Sequence, residues 1–191
     1  VTPLHLATAG RDIDLVQRFL GKGARINSKT SPGGASPLTY AAELGDIAML
    51  RLLLGKGAIV DNRDDYGLTP MHSAANGGFT EVVIALLGKG ANVGAEGSDG
   101  LQALHLAAGG GHSALTRTLI RRGASVNATT HDGFTPLHLA AATSGTADAV
   151  RTLVNEGADV DKRDSFGASP LDLAVSNSNL EAADILLNHG A

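Results

Sequence analysis

Apolar residues recur at i, i+3 and i+4 in short runs separated by glycines. Val16, Phe19 and Leu20 form the first such stripe, Leu50, Leu53 and Leu54 the next, and Val83, Leu86 and Leu87 another. Val150, Leu153 and Val154, then Ala183, Leu186 and Leu187, repeat it later. That spacing puts one apolar face on a short helix. A second, shorter helix is predicted ahead of each stripe, and the stretch around Thr69 shows why. Thr69 is a good N-cap, Pro70 takes the first helical position, where its missing N–H costs nothing, and the helix Pro70–Asn76 ends at Gly77-Gly78. The next helix starts near Thr80 and stops at Gly90, which supplies a left-handed residue. An extended segment with a turn follows each stop, such as Asp64-Asp65-Tyr66-Gly67 or Thr130-His131-Asp132-Gly133. Such segments predict β-hairpin fingers that link one helix pair to the next.

This order recurs along the whole chain. Thr2-Pro3-Leu4-His5 returns as Ser36-Pro37-Leu38-Thr39, Thr69-Pro70-Met71-His72, Gln102-Ala103-Leu104-His105, Thr135-Pro136-Leu137-His138 and Ser169-Pro170-Leu171-Asp172, in steps of 34, 33, 33, 33 and 34. A Gly-Ala pair at 23–24, 57–58, 90–91, 123–124, 157–158 and 190–191 keeps the same phase. With its 33-residue period, T-P-L-H-x-A signature and helix–turn–helix plus β-turn order, the chain resembles the ankyrin-repeat family over all 191 residues. Thr2-Pro3-Leu4-His5-Leu6-Ala7 and Thr135-Pro136-Leu137-His138-Leu139-Ala140 match the signature best. The resemblance implies an all-α solenoid with β-hairpin fingers, of about five and a half to six repeats. As one domain over 1–191, its repeats run approximately 1–24, 25–58, 59–91, 92–124, 125–158 and 159–191. The last repeat keeps the internal apolar pattern without a polar cap, so the chain is expected to be a segment of a longer protein.

Departures from the pattern are local. One extra residue falls in the finger Ser31-Pro32-Gly33-Gly34 and another in the turn Ala142-Thr143-Ser144-Gly145. In the fourth repeat Gln102-Ala103 replaces Thr-Pro, Gly97 replaces the usual finger Asp, and Gly109-Gly110-Gly111 crowds the turn between the helices. That repeat is expected to be the weakest.

Composition narrows the function. Aromatics make up 3% and Trp is absent, so the core is built of Ala and Leu in thin, closely stacked elements. Fifteen Lys and Arg against 19 acidic residues give a net charge of −4, and adjacent basic residues occur only as the isolated pairs Arg121-Arg122 and Lys162-Arg163, so nucleic acid is not the expected partner. The lack of Cys removes disulfides, thiolate metal sites and Cys nucleophiles, and suits an intracellular protein of the cytoplasm or nucleus. No run approaches the roughly 18 apolar residues of a membrane span, so no membrane insertion is expected.

Candidate chemistry dissolves under the same geometry. His5, His72, His105 and His138 recur in phase, but equivalent residues of stacked repeats sit roughly 10 Å apart and cannot share one ion. The resemblance implies that each ring closes the start of its repeat and ties it to the next finger. Gly21-Lys22-Gly23, Gly55-Lys56-Gly57 and Gly88-Lys89-Gly90 look like phosphate-loop fragments, yet each ends a helix instead of starting one. Finger carboxylates such as Asp61, Asp64, Asp161 and Asp164 form turns. No nucleophile–base set converges, so the chain is read as non-catalytic, with no catalytic, cofactor-binding or metal residues and no cofactor.

Partners of ankyrin-like arrays lie along the finger tips and the inner, concave helices. By alignment to that pattern the candidate binding residues are Arg63, Asp65, Tyr66, Leu68, Glu96, Asp99, Leu101, His131, Asp132, Phe134, Arg163 and Phe166. Leu68, Leu101 and Phe134 precede the Thr-Pro position in successive repeats and would form an apolar ridge flanked by Tyr66 and Phe166. Such a ridge either recognises a partner or covers the neighbouring finger. The expected function is a scaffold that binds a protein or peptide, apolar in the middle and mildly basic at its edge. The alternatives are a regulatory or autoinhibitory segment of a larger enzyme, channel or signalling receptor, and self-association through uncapped ends.

Overall fold

A computed structural model describes residues 1–191 and contains twelve α-helices. They fall into two compact units, Val1–Asn92 and Val93–Ala191. Unit 1 holds α1 (Pro3–Ala9), α2 (Ile13–Gly21), α3 (Pro37–Glu43), α4 (Ile47–Gly55), α5 (Pro70–Asn76) and α6 (Thr80–Leu87). Unit 2 holds α7 (Ala103–Gly109), α8 (Ser113–Arg121), α9 (Pro136–Ala142), α10 (Ala147–Asn155), α11 (Pro170–Ser176) and α12 (Leu180–Asn188). Every repeat is therefore a helix pair. First helices pack on first helices, as α3 does on α1 and α5, and α9 on α7 and α11. Second helices do the same, α4 on α6 and α10 on α8 and α12.

Sequence sets the ends of these helices. Five of the first helices carry Pro at their start, and α7, which opens at Gln102-Ala103, does not. Asp12, Asp46 and Asn179 cap second helices by accepting the N–H of Leu15, Met49 and Ala182. Phe79 occupies the equivalent cap position of α6 and packs instead: a Cβ on Gly45 or Gly77 would stand 2.6 or 2.3 Å from its ring. A side chain there would displace the ring, so the two glycines are required by a close approach.

The core of each unit is built mainly of leucine, methionine and alanine. In unit 1 Leu38, Met49, Leu50, Leu53, Met71 and Leu86 are fully buried, and in unit 2 Leu104, Leu115, Leu119, Leu137 and Leu153 are. In α4, α6, α10 and α12 the apolar stripes keep their i and i+3 members and gain the residue before i in place of i+4. The buried set is Met49, Leu50 and Leu53, or Val82, Val83 and Leu86, whereas the i+4 members Leu20, Leu54, Leu87 and Val154 are only partly buried or, like Leu187 at 56%, exposed. The second helices α4, α6, α8, α10 and α12 contact both their own first helix and a neighbouring second helix, which widens the contact arc toward the preceding residue.

Thr116 breaks this pattern chemically. It occupies the position of Val83 and Val150, is wholly buried, and its Oγ1 has no hydrogen-bond partner. Replacement by valine keeps the shape and removes an unpaired hydroxyl. Thr116→Val should stabilise the protein by about 1–2 kcal/mol in urea denaturation. A neutral or destabilising result would mean that the hydroxyl is satisfied in solution.

The predicted fingers differ from the observed ones. No strand forms, and the only bridge is an isolated antiparallel one between Glu96 and Gln102. Each finger is instead a tight loop closed between its first and last residues, Asp64 N to Leu68 O, Gly97 N to Leu101 O, Thr130 N to Phe134 O and Asp164 N to Ala168 O, with a turn bond inside it such as Gly67 N to Asp64 O. The loop with the extra residue closes one position later, from Thr30 N to Ala35 O. Outside the closing pair only Glu96 and Gln102 bridge, and no ladder develops because the chain then enters the next helix cap.

Candidate functional site

The loop tips are braced from inside. Asp64 Oδ1 accepts the N–H groups of Tyr66 and Leu68 at 2.9 and 2.8 Å, and Asp164 Oδ1 does the same for Phe166 and Ala168. Thr30 and Thr130 hydroxyls serve their own tips by accepting from Ala35 and Phe134. Where Gly97 replaces that acceptor, Asp99 Oδ1 takes the Leu101 N–H at 3.1 Å. These are turn bonds of short polar side chains, and they hold the tip backbone rigid.

Tips are also tied to one another within each unit. In unit 1 the Asp65 N–H donates to Gly33 O at 3.2 Å while Asp65 Oδ2 accepts the Gly33 N–H at 3.0 Å. In unit 2 the His131 N–H donates to Asp99 O at 2.8 Å and the Ser165 N–H to Asp132 O at 2.9 Å. Three tips of unit 2 are thus strung in a row by backbone bonds. A second set of staples was not read from the sequence: Asn27 Oδ1 accepts the Ile59 N–H, Asp61 Oδ2 that of Asn92, and Asn127 Oδ1 that of Asp159. Their signal was a recurrence of Asn or Asp at the repeat period, broken at Gly94, which has no side chain to serve.

The histidine row behaves as the resemblance implies. The Thr135 N–H donates to His138 Nδ1 at 3.1 Å, the Thr135 hydroxyl lies 2.8 Å from the same nitrogen, and His138 Nε2 reaches Ala168 O at 3.2 Å. His5 and His105 repeat this with Ala35 O and Phe134 O at 3.0 and 3.1 Å. Because Nδ1 accepts a backbone N–H, the hydrogen is on Nε2 and the ring is neutral. Burial accordingly pushes the pKa of His5, His105 and His138 below 6.5, against the smaller raising effect of their carbonyl partners. In the last repeat Asp172 stands in for the histidine and accepts both the N–H and the hydroxyl of Ser169, which holds its carboxyl below the usual range.

A pH dependence follows with a definite sign. The unfolded histidines bind protons at about 6.5, the folded ones only lower, so their stabilisation is complete above about pH 6.5 and is lost as pH falls through the folded values. Urea midpoints should therefore decline between about pH 7.5 and about 5, before carboxylates titrate. A flat profile over that window would contradict the neutral, buried assignment.

Against this frame of bonds the candidate binding residues separate into two groups. Arg63 and Arg163 brace their own tips, with Nη1 donating to Gly67 O at 2.7 Å and to Gly167 O at 2.6 Å, and Arg163 lies 3.7 Å from Asp172. Glu96 Oε1 accepts from Gln102 Nε2. Leu68 in unit 1, and Leu101 and Phe134 in unit 2, are half-buried. Phe134 packs at 6.3 Å from Phe166 and edge-on at 6.0 Å from His138, so much of its ring does cover the neighbouring tip. Asp65, Asp99, His131 and Asp132 expose their side chains, although all but Asp65 spend only backbone or turn atoms on the tip. Tyr66 and Phe166 project, 67% and 77% exposed. Charge is unevenly placed: unit 1 has nine Lys and Arg against eight acidic residues, a net +1, and unit 2 has six against eleven, a net −5. No group of three or more His, Cys, Asp or Glu is arranged to hold a metal, and no helix is long and apolar enough to cross a membrane.

Comparison with known proteins matches this architecture. The family model for ankyrin repeats (3 copies) matches residues 4–97, 76–164 and 104–191. Ankyrin repeat domain-containing protein 17 of Mus musculus is 38% identical over 71 residues, 37% of this chain and 3% of that protein. Alpha-latrotoxin-Lh1a of Latrodectus hasselti is 33% identical over 72 residues, 37% of this chain and 5% of the toxin. Tyrosine-protein kinase Shark of Drosophila melanogaster is 36% identical over 72 residues, 37% of this chain and 8% of the kinase. The chain thus spans a small fraction of the relatives it matches.

Proposed function

We propose, since this chain belongs to the ankyrin-repeat family, that it is a non-catalytic module that binds a protein or peptide partner along its loop tips and first-helix side. The observation that carries this reading is the row of tips in unit 2. Backbone bonds hold the three tips in fixed register, and Phe166, seated on Phe134, stands 77% exposed at the end of the row. A rigid, projecting aromatic loses little freedom on binding and is a favoured anchor. Leu101 extends the apolar surface, and Asp99, His131 and Asp132 stand exposed along it. With unit 2 at net −5, the fitting partner is apolar at its centre and basic at its edge. In unit 1, Tyr66 and Asp65 offer a similar tip on a smaller scale, with Leu68 behind them and Arg63 bracing the loop.

Truncation separates anchor from frame. Phe166→Ala removes an exposed ring and should leave the unfolding midpoint nearly unchanged. Affinity capture with the wild type beside this variant, followed by titration of whatever the wild type retains, should show a loss of at least about tenfold. Equal affinity of the two proteins for every retained partner would sink the tip-binding reading.

A further inference from the structure

The part of unit 1 around Thr2 and residues 25–29 carries a surface of another kind. A cleft of about 580 Å³ is lined by Thr2, Arg25, Ile26, Asn27, Ser28 and Lys29. Through the shared Thr2, Arg25 and Ser28 it adjoins a smaller cleft of about 260 Å³, whose other walls are Pro3, Leu4, Phe19 and Ala24. The larger half carries two cationic side chains, Arg25 and Lys29, the smaller is mainly apolar, and no carboxylate lines either. Ser28 belongs to both halves, and its Oγ is buried without a hydrogen-bond partner. Folded proteins pair the large majority of such hydroxyls, and this one, unlike that of Thr116, belongs to a residue that lines a cleft where an acceptor has room. Arg25 and Lys29 are exposed and form no ion pair with a carboxylate of the chain.

The repeat itself does not demand these residues. At the same positions of the fifth repeat stand Ser125, Ala128 and Thr129, and of the third and fourth Ile59, Asn62 and Arg63, then Asn92, Ala95 and Glu96. Two cations and a hydroxyl with no acid among them occur together only at 25–29. Arginine and lysine donors beside a hydroxyl are the groups that recognise a carboxylate. Leu4 and Phe19 next to them suit an aryl or alkyl body.

We infer that this cleft binds a carboxylate carried on an apolar body, with the acid between Arg25 and Lys29 and accepting from Ser28, and the body against Leu4 and Phe19. The chemistry is shared by small aryl or alkyl acids and by a peptide ending in an apolar residue. The site is independent of the loop tips, so it stands or falls separately from the partner surface of unit 2.

Amide NMR on the full 191-residue chain tests it with defined probes. Titration with 4-phenylbutyrate should give saturable shifts at Leu4, Ala24 and Ser28, and the uncharged 4-phenylbutanamide should bind at least about tenfold more weakly. Arg25→Ala with Lys29→Ala should lower affinity for the acid at least about tenfold, whereas Phe166→Ala should leave it unchanged. N-acetyl-Gly-Gly-Phe with a free carboxylate distinguishes the source: tighter binding than the small acid assigns the site to a chain terminus, and weaker binding to a small acid. The inference is overturned if acid and amide bind alike, if no saturable shift appears at these residues, or if the double variant binds as the wild type does.

Discussion

Replacing His138 with alanine is expected to destabilise the protein by about 3–5 kcal/mol, the largest loss for any single polar side chain outside the leucine core. The ring is completely buried and works at both ends. Its Nδ1 takes the Thr135 N–H and contacts the Thr135 hydroxyl, closing the first turn of α9, and its Nε2 binds Ala168 O of the following loop. Alanine would leave the Thr135 N–H with no protein partner, take from the Ala168 carbonyl the bond it receives besides that of the Asp164 N–H, and open a cavity beneath Phe134, whose ring lies edge-on to the imidazole. The stranded buried N–H costs about 1–3 kcal/mol, and the lost second bond and the cavity add to this. The chain contains its own control. In the second repeat Thr39 stands in the histidine's place, and its hydroxyl accepts the Ser36 N–H and meets the Ser36 hydroxyl, so the turn closes without an imidazole. His138→Thr should therefore recover part of the loss, and what remains measures the bond to the next loop. Urea denaturation of both variants above pH 7 checks this; a cost below about 1 kcal/mol for His138→Ala would show that the ring does not link the repeats.

The second large effect is predicted at a residue with no side chain. Gly133 has φ +80°, and a Cβ there would lie 3.0 Å from Ser165 N and 3.1 Å from the Asp164 Cα, both backbone atoms of the next tip. Gly133→Ala should cost about 2–4 kcal/mol, of which the left-handed backbone accounts for about 1–2. The remainder comes from pushing the tips apart and stretching the bond from the Ser165 N–H to Asp132 O. Gly167 separates these contributions, because it has nearly the same φ, +84°, and nothing within 4 Å of its Cβ position. Gly167→Ala should therefore show the conformational cost alone. Equal losses for the two variants would mean that the tips are not in contact in solution. If they are, Gly133→Ala should also weaken partner binding, because it breaks the row on which Phe166 is mounted.

Much of this architecture was legible in the sequence, for identifiable reasons. Helix limits such as Pro70–Asn76 could be read because proline and glycine act locally, through φ and a missing N–H. The histidine links could be expected from the signature, since the Thr-x-x-His spacing closes a single helical turn. What could not be read depends on neighbours one repeat away. The burial of Met49 and Val82, one residue ahead of the predicted stripes, comes with the packing of α4 and α6 on each other as well as on their own first helices. Turn residues predict hairpins at the fingers, but the helix caps that follow leave no room for a ladder. Exposure at the tips was equally opaque: Phe134 and Phe166 look alike in the sequence, yet the first lies half under the second. Which carboxylates face solvent was hidden too, because Asp64, Asp99 and Asp164 all serve their own turns, and of these only Asp99, like Asp132, is exposed.

The central claim is that recognition takes place on the tips of unit 2. Hydrogen exchange on the complex with a partner retained by the wild-type chain tests it most directly. Protection should appear at residues 97–101, 130–134 and 164–168 and be absent from the outer face of the second helices, around Arg117 and Arg151. Protection confined to that outer face, with the tips exchanging as they do in the free protein, would contradict the account.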